Sequence, residues 1–200
     1  MSGLYLRGGK RALDLAGAAL LLVLLAPLLL GLALAVAAAL GRPVLFRQHR
    51  LGLGARPFVL VKFRTMREGT EPDSARLTPF GAWLRRSSLD ELPSLANVLR
   101  GEMSLVGPRP LLAADRDRLL ALCPERFSVK PGLTGPVQVG GRNALSWRER
   151  LAGDAGYARR VRLGRDLALL AATPAAVLRG DGIASPGHAA GAPLAQEGPS

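Results

Sequence analysis

Asp90 and Glu91 stand side by side in the segment Ser87-Ser88-Leu89-Asp90-Glu91-Leu92-Pro93, with Arg85 and Arg86 just upstream. Adjacent carboxylates can hold a hard divalent ion, and one of them can attack phosphorus. Arginines beside them can neutralise phosphate charge. The spacing also has a purely structural reading. Ser88 and Glu91 lie three apart, as in a helix capping box, which would leave Asp90 as an acid beside the positive end of a helix. A helix start is itself a place where phosphates bind, so spacing alone leaves both readings open.

Three more segments offer cations. Two prolines in Gly107-Pro108-Arg109-Pro110 stiffen the backbone around one guanidinium, which then has little entropy left to lose on binding. In Lys62-Phe63-Arg64-Thr65-Met66 the two cations share a strand face by period two. Gly140-Gly141-Arg142-Asn143 reads as a flexible turn that carries a cation. Each segment is a weak signal alone. Together Lys62, Arg64, Arg85, Arg109 and Arg142 offer several cations to at most two carboxylates, a composition suited to a diphosphate with Mg²⁺ or Mn²⁺. His49 and His188 have no metal-ligand companions. Cys123 is the only cysteine, which excludes an internal disulfide and a Cys-rich metal site. No Walker loop and no G-x-G-x-x-G occurs. Trp83 and Trp147 are too sparse for a base-stacking platform.

These residues must be positioned by a chain of 200 residues with a net charge of +12, enough for one domain with a modest core. Such a charge suits an anionic partner: nucleic acid, anionic lipid or a phosphorylated substrate. The abundance of Arg over Lys, alongside Ala, Gly and Pro, also fits a GC-rich coding bias.

From Leu15 to Leu40 there is no charged residue. As one helix the run would reach roughly 39 Å, beyond a hydrocarbon core of about 30 Å. A cleaved signal peptide, a single span and a re-entrant hairpin compete. The run is too long for a signal core. Pro27 at mid-run kinks a helix, and each arm would then cross about half the bilayer. Basic residues lie on both sides, Arg7, Lys10 and Arg11 before and Arg42, Arg47 and Arg50 after, so the positive-inside rule puts both flanks in the cytoplasm.

Beyond Pro43 the pattern predicts short strands at Val44–Phe46 and Phe58–Val61 with a turn over Arg50–Gly54. It predicts a polar loop over Arg67–Arg76, partial helix over Phe80–Leu99 interrupted by Pro93, and helix over Leu111–Leu122. Val129–Arg142 reads as a structured loop, and Leu145–Tyr157 and Leu163–Leu178 as helices, the last apolar enough to lie against lipid. Arg179–Ser200 reads as a disordered tail. The expected fold is α+β and mainly helical. It has a membrane element (1–42), open on the residues alone between a single span and a re-entrant hairpin, a domain with a short β-hairpin and interfacial amphipathic helices (43–180), and a tail (181–200).

Taken in order, Lys10-Arg11-Ala12-Leu13-Asp14, Pro43-Val44-Leu45-Phe46-Arg47-Gln48, Lys62-Phe63-Arg64-Thr65-Met66, Ser88-Leu89-Asp90-Glu91-Leu92-Pro93, Met103 to Pro110, Pro131-Gly132-Leu133-Thr134-Gly135 and Gly141-Arg142-Asn143 resemble the bacterial sugar transferase family, the small monotopic phosphoglycosyl transferases. The resemblance covers roughly residues 8 to 183 and implies a re-entrant membrane helix-break-helix over 1–42 and a catalytic domain over 43–180. It implies an Asp-Glu dyad, Asp90 and Glu91, in which Asp90 attacks the sugar-bearing phosphate of a UDP-sugar and expels UMP. Polyprenyl (undecaprenyl) phosphate then attacks the phosphosugar-aspartate, a ping-pong route that begins assembly of a surface glycan or glycoprotein. Glu91 matches the metal-binding member, with Asp90 beside it. Arg85 and Arg142 match cations at the substrate phosphates, and Arg109 a residue near the nucleotide. The implied location is the cytoplasmic face of the bacterial inner membrane. Implied partners are UDP-sugar, polyprenyl phosphate and the bilayer, not nucleic acid, with room for a homo-oligomer or downstream glycosyltransferases.

The sequence departs from the family pattern in three places. Ala26 replaces the Ser that usually precedes the membrane-breaking proline, Pro136 replaces an aromatic, and Gly140 replaces an Asn. The last two lie near the expected sugar pocket and leave the sugar open. A non-enzymatic, membrane-anchored basic protein would also explain the charge, but not an ordered dyad among cations. An inactive member serving as an assembly partner conflicts with the intact dyad.

Overall fold

The uncharged run forms two helices rather than one. In the computed structural model, which describes residue 3 and residues 5–141 and 144–179, a π-helical turn at Tyr5–Gly9 leads into α1 (Lys10–Leu24), and α2 follows (Ala26–Leu40). The helices bend by 64° across Leu25, and no single helix is long and apolar enough to cross a membrane. The break falls two residues before Pro27, because proline is tolerated in the first turn of the new helix, where its missing N–H is no loss. Around the bend Leu20, Val23, Leu24, Leu28, Leu30 and Leu34 are all exposed.

Both ends of this knee are tied to the rest of the chain through polar groups. Asp14 is buried in α1 and accepts from Ser104 Oγ and the Leu105 amide, each at 2.8 Å. Arg11 donates to the Val98 and Leu99 carbonyls at 2.6 and 2.8 Å, in the last turn of a helix, where carbonyls have lone pairs to spare. Lys10 bonds Asp166 at 2.6 Å, and the same carboxylate accepts from Tyr5 at 2.6 Å and Tyr157 at 2.7 Å. Asp166 is fully buried. Replacing it by Ala removes the ionic partner of a mostly buried ammonium and an acceptor from two buried hydroxyls, although Lys10 and Tyr157 keep the Val106 carbonyl, a loss of about 3–5 kcal/mol. We expect Asp166→Ala to lower the unfolding midpoint in detergent by about 10 °C or more. A midpoint within a degree or two of the parent would show that the network adds nothing.

The expected hairpin forms as β1 (Leu45–Leu51) against β2 (Pro57–Phe63), antiparallel, with Leu45 opposite Phe63 and Leu51 opposite Pro57. It is longer than the apolar runs suggest, because cross-strand pairing carries Gln48, His49 and Arg50 into strand. The turn therefore closes later than expected, through a 3₁₀ turn at Leu53–Ala55 with Gly54 at φ 63°. The predicted loop at 67–76 contains one helical turn, α3 (Asp73–Arg76).

The partly helical stretch resolves into α4 (Pro79–Arg86), capped by Thr78 accepting from the Gly81 amide, then a 3₁₀ turn over Leu89–Ser94, then α5 (Leu95–Arg100). Pro93 lies inside the 3₁₀ turn and is its local reason. The helix expected from Leu111 begins only at Arg116, as α6 (Arg116–Leu122). The predicted loop at 129–142 is overturned in part. Gly132–Thr134 is strand β4, parallel to β3 (Ser104–Val106), and α7 (Pro136–Gly140) follows. Three-residue strands carry no readable period, and this pairing joins segments far apart in the chain. A Cβ on Gly107 or Gly132 would strike the opposing backbone, so only glycine permits the approach. α8 (Trp147–Ala158) starts at a Ser146/Glu149 capping box, and α9 (Leu163–Arg179) follows. Along α9, Leu163, Leu167 and Leu178 are exposed. The main core joins Ala18 of α1, Leu95 and Val98 of α5, Leu105 and Val106 of β3, and Tyr157 of α8. The fold is therefore α+β and mainly helical. The tail from 181 onward lies outside the described residues.

Candidate active site

The dyad sits on the 3₁₀ turn, which packs against β2. Ser88 adopts φ 56°, in the left-handed region, and its side chain makes no cap bond. The capping-box reading is therefore overturned: a box needs an extended cap residue, and Ser88 is not extended. The helix-start anion site goes with it, since a six-residue 3₁₀ turn has no long helix behind it. What holds the dyad is tertiary contact.

Asp90 is 7% exposed. Burial raises its pKa to about 6, and Glu91 adds to the rise while Lys62, Arg85 and Arg109 oppose it. Glu91 reaches Lys62 at 2.5 Å and Arg109 at 3.1 Å. Lys62 comes from β2 and Arg109 from the loop after β3, so three segments meet at one carboxylate. Arg85, on the last turn of α4, donates to Thr65 Oγ1 at 2.9 Å. Its pKa is lowered by burial, against the opposing fields of Asp90 and Asp73. A cleft opens here, lined by Arg50, Lys62, Glu91, Arg109, Leu133 and Met103 among others.

The structure thus brings together Asp90, Glu91, Lys62, Arg85 and Arg109. It does not bring Arg64 with them. That guanidinium is buried and caps the end of α2, donating to the carbonyls of Leu40, Gly41 (2.7 Å) and Arg42 (3.4 Å), with Glu68 at 3.1 Å. The period-two argument puts Lys62 and Arg64 on one face, but the strand ends at Phe63 and the chain turns towards α2. Arg142 lies outside the described residues. Pro136 opens α7, and Gly140 lines a second cavity with Gln138, Gly141, Ala176 and Arg179.

Several residues of the site's frame escape sequence reasoning. Asn97 is fully buried and bonds one edge of β2, accepting from the Val61 amide at 3.2 Å and donating to the Val59 carbonyl at 2.7 Å. It locks α5 to the strand that carries Lys62. Thr65 holds Arg85, and a Cβ on Gly81 would collide with the Thr65 backbone. Arg126 and Asp154 form a buried pair beside Arg109. None carries a local pattern, since each acts across many residues of chain.

The donor set suits Mg²⁺. Among the described residues no group of three or more His, Cys, Asp or Glu side chains gathers. Mg²⁺ is usually held by one or two carboxylates together with substrate phosphates and water, which matches two adjacent carboxylates rimmed by cations.

A model of the family described as bacterial sugar transferase matches residues 5–180. An uncharacterised sugar transferase, EpsL of Bacillus subtilis, is 41% identical over 90% of this chain and 92% of its own length. A UDP-glucose:undecaprenyl-phosphate glucose-1-phosphate transferase of Caulobacter vibrioides is 46% identical over 86% of this chain and 70% of its own. An undecaprenyl-phosphate galactose phosphotransferase of Salmonella typhimurium is 34% identical over 86% of this chain, which matches 41% of that longer protein. The match runs from the turn before α1 to the end of α9 and takes in the whole dyad site, so the chain belongs to the bacterial sugar transferase family.

Proposed function

We propose that this chain transfers a sugar-1-phosphate from a UDP-sugar to polyprenyl phosphate in two covalent steps. The observation that carries the proposal is Asp90: a buried carboxylate next to Glu91 of the cleft lining, in the fields of Lys62, Arg85 and Arg109. An Asp90 oxygen attacks the sugar-bearing phosphorus, the bond to the UMP oxygen breaks, and UMP leaves with that electron pair. A polyprenyl phosphate oxygen then attacks the same phosphorus and releases the Asp90 carboxylate. Lys62, Arg85 and Arg109 offset phosphate charge in both steps. Asp90 and Glu91 would hold Mg²⁺, which supplies further charge neutralisation on the diphosphate. The Caulobacter and Salmonella relatives, named for undecaprenyl phosphate with glucose or galactose, support the donor and acceptor classes. The test is UMP release from a panel of UDP-sugars by purified protein with Mg²⁺ and polyprenyl phosphate. No UMP from any donor would favour a non-enzymatic, membrane-anchored role.

The bent pair α1–α2 supports insertion from the cytoplasmic face. Its apolar knee is exposed, as a surface meant for lipid would be, while its ends are held by the polar network at Lys10, Arg11 and Asp14 and by Arg64. Single cysteines at Gly8 and Arg56, with Cys123 replaced by Ala, should both resist an impermeant reagent applied to intact cells. Both are exposed positions with ordinary backbone, whereas Gly54 at φ 63° would be strained by a side chain. Labelling of the Gly8→Cys variant alone would establish a full span instead.

A further inference from the structure

The segment Gly107–Pro110 holds Arg109 against the dyad, and its own hold is unusual. The Gly107 amide donates to the Thr134 carbonyl, and the Pro108 carbonyl accepts from the Gly132 amide, each at 2.9 Å. That side belongs to β4. The other side is held by guanidinium groups. Arg126 Nη2 donates to the Arg109 carbonyl at 2.6 Å, and Arg50 Nη1 to the Pro110 carbonyl at 3.2 Å. Arg126 also binds Asp154 through Nη2 at 2.9 Å and Nε at 3.3 Å.

Arg126 and Asp154 are each 3% exposed. An ion pair buried this far is a poor device for stability, because desolvation offsets the attraction and apolar residues of equal volume would serve as well. What the pair does that apolar residues could not is present a fixed donor to one backbone carbonyl. Asp154 comes from α8 and Arg126 from a 3₁₀ turn at Pro124–Ser128, so the pair carries the rigidity of two elements into a loop. Prolines on both sides of Arg109 remove two backbone donors, which leaves this loop dependent on bonds to its carbonyls.

We propose that the buried Arg126–Asp154 pair is a positioning device for Arg109, setting its guanidinium at the nucleotide side of the dyad cleft. Arg126 and Asp154 act through the Arg109 backbone. The inference rests on the reading of the cleft as a nucleotide-sugar site. Asp154 is the keel: its carboxylate orients the Arg126 fork, and the remaining Arg126 donor meets the Arg109 carbonyl. A Lys at 126 keeps the charge but lacks the fork, so it cannot serve both partners in the same geometry.

The test is a double-mutant cycle on the full chain in detergent, with UMP in Mg²⁺ as the calorimetric probe and thermal unfolding as the check on folding. Arg126→Lys should weaken UMP binding tenfold or more in the parent background. In an Arg109→Ala background the same change should alter it less than twofold, since the residue it positions is gone. Equal losses in both backgrounds overturn the proposal and make the pair structural only. A parent-like UMP affinity for Arg109→Ala overturns the underlying reading of the cleft, a result distinct from additivity. Should Arg126→Lys fail to fold, Arg126→Met with Asp154→Leu fills the space without an orphan charge. It should reproduce both the tenfold loss and its disappearance without Arg109, and parent-like binding by that pair overturns the proposal.

Discussion

Asp90→Asn will abolish turnover and make the metal-free protein more stable. Loss of turnover follows from chemistry: an amide is nearly isosteric with a carboxylate but far too weak a nucleophile to displace UMP, and removing a covalent nucleophile costs on the order of 10⁴-fold or more. Greater stability follows from burial. The Asp90 carboxyl titrates at about 6 in the fold, above an ordinary aspartate, chiefly because burial disfavours its charge. The folded state therefore binds this proton more tightly than the unfolded chain. Stability falls as pH rises from about 4 to about 6, and the loss is complete at neutral pH. The ionised carboxylate then costs the fold up to about 3 kcal/mol, a cost that Asn does not carry. In EDTA at pH 7.5 the variant should melt several degrees above the parent, and the gap should shrink at pH 4.5. A variant that releases UMP at a near-parent rate sinks the nucleophile assignment. Mass spectrometry of the parent, incubated with UDP-sugar but no polyprenyl phosphate, should find a phosphosugar on the Asp90 peptide after about one equivalent of UMP. UMP that appears only with polyprenyl phosphate, and no adduct, would favour direct transfer.

Excess EDTA will stop the parent enzyme, and Glu91→Gln will lose about 100-fold or more in rate at millimolar Mg²⁺. Glu91 is the carboxylate on which Lys62 and Arg109 converge, at 2.5 and 3.1 Å. Gln keeps the shape and removes the charge. Both cations then lose their ionic partner, and the ion loses one of two carboxylate ligands. The two changes oppose each other at the substrate: freed cations favour the diphosphate, while a weakened ion favours release. Metal loss should win, because Lys62 and Arg109 carry their charges in parent and variant alike, whereas the ion is held only through its carboxylate ligands and the substrate. The Mg²⁺ concentration that gives half-maximal UMP release should rise at least tenfold in the variant. An unchanged half-maximal concentration would move the metal off Glu91, and full parent activity in EDTA would remove it from the reaction.

Part of the candidate site was legible before any fold was known, for a chemical reason. Asp90-Glu91, Lys62, Arg85 and Arg109 are weak signals one by one but together make a set of carboxylates and cations suited to a diphosphate, and the fold brings these five side chains together. The apolar run from Leu15 to Leu40 was equally legible, because 26 uncharged residues have few places to go. Local chemistry misled where the backbone had a tertiary partner. Ser88 and Glu91 have capping-box spacing, yet Ser88 is pulled into the left-handed region and Glu91 turns to Lys62 and Arg109. Arg64 sits two residues from Lys62, yet the end of α2 claims it.

What the sequence determined by itself is therefore composition and order: which charges exist, which segment is apolar enough for lipid, and which short motifs recur in the family. Tertiary structure alone decided which charges meet. Asp166 reaches Lys10 across 156 residues, and Arg126 finds Asp154 across 28 before gripping Arg109. Parallel β3–β4 pairing rests on glycines that let two distant backbones touch. Such contacts leave no period in the chain, because helical and strand periods report only which face of a local element is buried. An ion pair between distant elements is set by packing, and it becomes visible only when the elements that carry it have been brought together.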